Sequence, residues 1–155
     1  MTGLTLVAGI GNVFFGDDGF GVAVARRLAA RPLPDDVRVV DFGIRGYDLA
    51  LAMLDPYQQV VIVDAVARGG APGTLYVLEL EAARATSSVD GHGLGPARVL
   101  ELVLAWSGRL PPVRLVGCES ARVDFAADGA MRLTPAVAAA VDGAVELVEG
   151  LVARA

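Results

Sequence analysis

The sequence predicts an α/β fold of three layers, in which a mostly parallel five-stranded sheet with one antiparallel edge strand has helices on both faces. Short apolar runs of strand length alternate along the chain with segments of helical periodicity. Most of these runs are continuously apolar, which is typical of strands covered on both faces. Right-handed crossovers between parallel strands place the helices on both sides of such a sheet.

Five runs of residues are expected to form the strands, namely Leu4–Gly9, Val37–Phe42, Gln59–Val63, Thr74–Leu80 and Val113–Cys118. The third run is the most apolar, and the fourth alternates between apolar and other residues. The connection between these two, with the turn 67–73, is too short for a crossover helix. We therefore expect the fourth strand to be antiparallel and to lie at an edge of the sheet.

Four helices are expected between and after these strands, at about Gly19–Ala30, Tyr47–Leu54, Pro96–Trp106 and from Thr134-Pro135 to about Ala153. The first repeats apolar residues on one face and ends before Pro32. The second ends before Pro56, since the residue preceding a proline disfavours the helical conformation. The last two begin at Pro96 and Pro135, because proline is well suited to the first position of a helix.

Length and composition exclude several classes of protein. The 155 residues are expected to form a single domain, 1–155, and 54% hydrophobic against 20% charged residues is not the composition of a disordered chain. A net charge of −5 argues against a nucleic-acid partner, and no apolar run approaches the roughly 20 residues of a membrane span. Cys118 is the only cysteine and no signal peptide is recognised. We therefore expect a cytoplasmic monomer.

A glycine-rich turn follows the first strand and resembles a nucleotide-binding fingerprint. Gly9 and Gly11 match its first two glycines, but Phe14 stands where the third is required. Asp17 and Asp18 then add negative charge at a helix start, where a phosphate needs positive potential. The pair therefore favours a cation, although a nucleotide-binding module that uses the Gly9–Gly11 loop and Asp41 on the ribose remains an alternative.

An acid at a strand end and the single histidine complete a possible metal site. Asp64 ends the third strand, and His92 lies among glycines before the third helix. Together with Asp18 they form a mixed nitrogen and oxygen set that suits a divalent transition metal and leaves positions for water or substrate. Each also has an ordinary structural explanation: Asp18 as a helix cap, Asp64 as a loop cap and His92 as a surface residue.

Conventional protease motifs are absent from the sequence, which has no H-E-x-x-H helix and no G-x-S-x-G turn. The order of several short motifs instead resembles the hydrogenase maturation endopeptidases, a family that trims the large subunit of nickel–iron hydrogenases. The motifs are Gly9-Ile10-Gly11-Asn12, Asp17-Asp18-Gly19-Phe20-Gly21-Val22, Asp41-Phe42-Gly43-Ile44-Arg45-Gly46, Ile62-Val63-Asp64-Ala65, His92-Gly93-Leu94-Gly95 and Leu133-Thr134-Pro135.

The resemblance implies that Asp18, Asp64 and His92 are the catalytic and metal-binding residues, and that their metal is nickel. The nickel would be supplied by the hydrogenase large-subunit precursor, with other divalent ions able to substitute, so no cofactor-binding residue is assigned. Metal-dependent cleavage would then remove a carboxy-terminal extension from the precursor, which makes the chain an endopeptidase, a hydrolase of peptide bonds.

Further roles follow from glycines and acids in the loops after the parallel strands, because the carboxyl ends of such strands meet at one edge of the sheet. Asp41, Gly43, Gly46 and Gly93 are the expected substrate-binding residues, because glycine loops let an extended tail approach closely. Asp17 or Asp41 is the nearest candidate for a general base. A competing hypothesis is a metal-independent interaction protein whose acidic edge only docks a partner.

Overall fold

The computed structural model describes residues 3–81, 95–121 and 132–153. Its sheet consists of β1 Thr5–Ile10, β2 Val37–Gly43, β3 Gln59–Val66, β4 Leu75–Leu80 and β5 Val113–Glu119. The strand order is β2-β1-β3-β5-β4, with parallel pairing everywhere except between β4 and β5. The predicted fold class is confirmed, including the antiparallel strand at the edge.

The helices of the described residues are α1 Phe20–Ala29, α2 Gly46–Ala52, α3 Pro96–Ser107 and α4 Pro135–Ala153. A single 3-10 turn, Gly16–Gly19, precedes α1. Helices α1 and α4 pack on one face of the sheet, and α2 and α3 on the other. None of these helices is long and apolar enough to cross a bilayer.

Strands β1 and β3 are buried along their whole length because both of their faces are covered. Leu6 and Ile62 point into the core beneath α2 and α3, whereas the next residues along each strand, Val7 and Val63, point toward α1 and α4. Successive side chains of a strand alternate between its faces, so continuous burial requires a helix layer on each side. Leu6, Val7, Ile62 and Val63 are all fully buried.

The sheet order places a topological switch point between β1 and β3. From β1 the chain moves outward to β2 on one side, and it then returns to add β3 on the other side of β1. Loops that leave the carboxyl ends of such neighbouring strands diverge to opposite faces and open a crevice between them. The residues after β1 and near the end of β3 therefore border the expected ligand-binding position.

Strand β3 is three residues longer than predicted and ends at Val66 instead of Val63. Asp64 consequently lies within the strand, where it is the register partner of Gly117. The prediction ended too early because an aspartate after an apolar run is typical of a strand end. Strand β5 extends to Glu119, and its ladder keeps β3 extended to Val66.

Candidate functional site

The first turn of α1 is pressed against the sheet through two glycines. A Cβ atom on Gly9 would lie 2.3 Å from the carbonyl oxygen of Gly21, and one on Gly21 would lie 2.1 Å from that of Val63. No side chain fits at such distances, so both positions require glycine. This close packing of α1 on β1 and β3 determines where the acids before the helix lie.

Asp18 is held by the turn that follows β1. The backbone N–H of Asn12 donates to Oδ2 of Asp18 over 2.8 Å. The side chain of Asn12 accepts from the N–H of Phe14 over 2.9 Å and so supports this turn. The alternative of Asp18 as a helix cap is wrong, because α1 begins after Gly19 without a side-chain cap. Asp18 lies within the 3-10 turn Gly16–Gly19, and Gly19 stands at the position that caps α1.

Asp64 is buried close to Asp18, near the carboxyl ends of the neighbouring strands β1 and β3. Its side chain is 7% exposed and accepts from the N–H of Ala65 over 2.8 Å. Burial raises the pKa of Asp64 well above its usual value, and the negative charge of Asp18 raises it further. A Cβ atom on Gly11 would lie 1.8 Å from the carbonyl oxygen of Asp18 and 3.7 Å from Oδ1 of Asp64. The two acids thus form an electrostatically unfavourable pair that a cation would relieve.

The predicted third ligand cannot be placed relative to this pair. His92 and Gly93 lie outside the described residues. Within the described part of the chain, no group of three or more His, Cys, Asp or Glu side chains is arranged to hold a metal ion. The donor set there is the carboxyl groups of Asp18 and Asp64, whose oxygens are hard ligands. The joining of Asp18, Asp64 and His92 around one ion stays a prediction.

Asp17, one of the two candidates for a general base, has a different role. Its side chain is 3% exposed, and its oxygens accept from the N–H of Ala121 and the N–H of Thr134 over 2.8 and 2.7 Å. The hydroxyl of Thr134 lies 3.0 and 2.9 Å from the two oxygens. A carboxylate surrounded by the protein's own donors is not available to take a proton from water, so Asp17 is unsuited to general-base catalysis.

A cleft of about 290 Å³ opens beside the turn, between the ends of β1 and β2. Asp41 and Gly43, two of the expected substrate-binding residues, line it, whereas Gly46 is buried at the start of α2. Nε of Arg26 lies 3.3 Å from Oδ2 of Asp41. Two apolar side chains on the cleft walls are largely exposed, Phe14 at 65% and Ile44 at 59%. An apolar cleft with charged walls is suited to a peptide segment.

The nucleotide alternative is not supported by this geometry. The N–H of Asn12 is the kind of donor that a phosphate loop offers to its ligand, and here it is bonded to Asp18. The carboxylates of Asp18 and Asp64 lie where the phosphates would have to bind. Like charges at this position would repel the nucleotide.

Cys118 is not a nucleophile in this structure. It is fully buried, and burial followed by the charges of Asp17 and Glu119 raises the pKa of its thiol to about 12. A thiol rather than a thiolate is therefore present at neutral pH. This is consistent with the absence of a cysteine protease motif in the sequence.

Glu119 is a buried acid that the sequence did not single out. Its carboxylate accepts from the N–H groups of Arg68, Gly69 and Gly70 and, over 2.8 Å, from the hydroxyl of Tyr76. Burial alone would raise the pKa of Glu119, but the bonds from Tyr76 and from these N–H groups outweigh it and lower the pKa. Glu119 thereby holds the turn that follows β3. The glycines of segment 67–73 predicted a turn, but no local pattern indicated that Glu119 would accept the N–H groups of that turn.

Comparison with known proteins gives consistent matches over most of the chain. A family model described as hydrogenase maturation protease matches residues 22–151. A putative hydrogenase maturation protease of Methanocaldococcus jannaschii is 31% identical over 148 residues, which is 94% of each chain. The hydrogenase 2 maturation protease of Escherichia coli is 34% identical over 92% of this chain and 87% of its own. The solved structure of the E. coli hydrogenase maturating endopeptidase HybD is similar with a TM-score of 0.83 and 32% identity, over 97% of this chain and 93% of that one.

Proposed function

The chain belongs to the hydrogenase maturation protease family, and from that premise we propose that it removes a carboxy-terminal extension from a nickel-loaded hydrogenase large-subunit precursor. Membership makes it a hydrolase of peptide bonds in hydrogenase maturation. A similar solved structure from Thermococcus kodakarensis is named a [NiFe] hydrogenase maturation protease, which supports nickel–iron hydrogenase as the substrate. We further infer that residues 1–155 fold as one domain and that the protein is a cytoplasmic monomer.

The observation that supports metal dependence most directly is the pairing of Asp18 with Asp64 at the switch point of the sheet. The charge of Asp18 raises the pKa of Asp64, which means that the two carboxylates interact. Two acids that raise each other's energy are stabilised by a cation bound between them. We therefore assign Asp18 and Asp64 as two of the metal ligands, with His92 as the third.

Nickel would arrive as part of the precursor, and other divalent ions are expected to substitute. When bound, it supplies a Lewis acid that polarises the scissile carbonyl group and lowers the pKa of a bound water. The protein holds two of the ligands in place beforehand: Asp64 through the β3–β5 ladder, and Asp18 through the N–H of Asn12. Asp41 is the remaining candidate for a general base, because Asp17 is enclosed by donors.

The cleft beside Asp41 is the proposed path of the extension. Its walls include Phe14 and Ile44, whose exposed apolar side chains would contact apolar residues of an extended tail. Gly43 gives the tail room to lie close to the backbone on the same wall. Gly93 is proposed to bind the tail as well, whereas Gly46, buried at the start of α2, is not.

The test mixes the purified protein with nickel-loaded and nickel-free large-subunit precursor and determines the product masses. We expect shortening of the nickel-loaded precursor alone. Equal shortening of the nickel-free form would contradict metal dependence, and no mass change in either form would contradict the proposed function. That last result is the one expected of a protein that only docks its partner.

Variants test the individual residues in the same assay. Asp18→Asn, Asp64→Asn and His92→Ala are each expected to abolish processing and to retain the fold, as judged by circular dichroism. Asp142→Asn is the matched control, since this acid is exposed on α4 and pairs with Arg27. Normal processing by any one of the three variants would remove that residue from the site. Unfolding of His92→Ala would instead indicate a structural role for the imidazole.

A further inference from the structure

We propose that Asp17 is a positioning residue, which holds the turn bearing Asp18 so that this carboxylate faces Asp64. The proposal rests on the proposed function, because it assigns Asp17 a role in the same site. The two acids of the pair then have different roles: Asp17 binds other segments of the protein, and Asp18 is the metal ligand.

The two carboxylates are directed to different parts of the molecule. They are consecutive in the 3-10 turn Gly16–Gly19, where three residues complete a turn and neighbouring side chains therefore diverge by about 120°. Asp17 contacts Ala121, after β5, and Thr134, before α4. Asp18 contacts the N–H of Asn12, after β1.

The bonds of Asp17 oppose any rotation of this turn. Ala121 and Thr134 are 104 and 117 residues away along the chain, and both donate backbone N–H groups to the carboxylate. The hydroxyl of Thr134 adds a donor that lies within 3.0 Å of both oxygens. Charge-assisted bonds of this kind are stronger than neutral ones, and leaving a buried donor unpaired is unfavourable. Rotating Asp18 away from Asp64 would break them.

Neighbouring atoms leave the backbone and the carboxylate of Asp18 little room to move. The carbonyl oxygen of Asp18 occupies the space where Gly11 would have a side chain. On the other side, the N–H of Asn12 reaches Oδ2 over 2.8 Å. A small rotation of the 3-10 turn would therefore lose the bond from Asn12 and change the separation of Asp18 from Asp64. Misplacement by about 1 Å lowers catalytic rates by up to about 100-fold.

The test compares Asp17→Asn, Thr134→Val and Thr134→Ser with wild type by two measurements. The first is the chemical shift of the Asn12 amide in ¹⁵N–¹H spectra, which reports the bond to Asp18 without requiring any substrate. The second is kcat and KM for shortening of the nickel-loaded precursor. We expect Asp17→Asn and Thr134→Val to shift the Asn12 amide and to lower kcat about tenfold or more, with KM changed less than about twofold. Thr134→Ser, which keeps the hydroxyl, is expected to match wild type.

Leu28→Ala is the control for stability, because Leu28 is fully buried at the end of α1 away from the 3-10 turn. It should lower Tm while leaving the Asn12 amide and kcat unchanged. Identical amide shifts and kcat in Thr134→Val and Leu28→Ala would overturn the proposal, and Thr134→Val keeps the test decisive if Asp17→Asn fails to fold. If wild type does not shorten the precursor, the proposed function fails, and the Asn12 amide still decides the role of Asp17.

Discussion

Substitution of Gly11 by alanine is the smallest change that should disturb both acids of the site. Gly11 has a φ of +133°, a backbone conformation that residues with a Cβ atom rarely adopt. The added Cβ would lie 1.8 Å from the carbonyl oxygen of Asp18 and 3.1 Å from its carbonyl carbon. The turn that contains Asp18 must therefore move by more than 1 Å to reach an ordinary contact distance of about 3.5 Å.

The magnitude follows from two contributions. Forcing alanine into a left-handed conformation costs about 1–2 kcal/mol, and overpacking at a crowded position costs about 1–3 kcal/mol. A loss of about 2–5 kcal/mol in the free energy of unfolding lowers Tm by about 4–20 °C for a chain of this size. Displacement of Asp18 by about 1 Å should also lower kcat by about 100-fold.

Gly108→Ala separates backbone strain from the clash. Gly108 follows α3 with a φ of +77°, and a Cβ atom there would have no neighbour within 4 Å. This control should lose only about 1–2 kcal/mol and process the precursor normally. Thermal unfolding and precursor cleavage measure both effects. The reasoning is refuted if Gly11→Ala is no less stable than Gly108→Ala and cleaves at the wild-type rate.

Three further substitutions test the electrostatics of the fold and the role of the cleft. Asp64→Asn should abolish processing yet raise Tm of the metal-free protein at pH 7, because burial and then the charge of Asp18 raise the pKa of Asp64 and make its ionised form unfavourable in the folded state. This gain should disappear as the pH falls below the unfolded value of 3.8, and a lower Tm at pH 7 would contradict the assignment. Glu119→Gln should lower the free energy of unfolding by about 1–3 kcal/mol at pH 7. Because the folded pKa of Glu119 is lowered, its contribution is present above the unfolded pKa of 4.5 and is lost as the pH falls, so urea unfolding at pH 7 and pH 3 should differ in this effect. Ile44→Ser should raise KM for the precursor about tenfold with kcat unchanged, whereas Leu147→Ser on α4 should change neither; equal KM values for the two variants would argue against the cleft as the path of the extension.

Much of the site could be predicted because parallel strands end at a common edge. Asp18 follows β1 and Asp64 lies near the end of β3, so a topology inferred from apolar runs was enough to bring them together. The exact extent of β3 could not be predicted, because it depends on its ladder with β5. His92 lies in a connection outside the described residues, and its distance from the two acids stays a prediction.

The different roles of the neighbouring acids Asp17 and Asp18 depend on the tertiary structure. Nothing local in the sequence shows that Asp17 and Asp18 have different partners. The structure separates them because the partners of Asp17 are more than 100 residues distant. Glu119 was missed for a similar reason, since its donors Arg68, Gly69 and Gly70 lie 49 to 51 residues earlier in the chain, in the turn after β3.

The sequence alone determined the layers, the antiparallel edge strand and the presence of acids at one edge of the sheet, because hydrophobic periodicity and the punctuation of glycine and proline are local properties of the chain. Only the tertiary structure decided that the carboxylate of Asp17 is enclosed by donors and that Asp18 lies close to the buried Asp64. Hydrogen bonds between distant segments fix a buried charge once the core has brought those segments together, and no local pattern records such a partner.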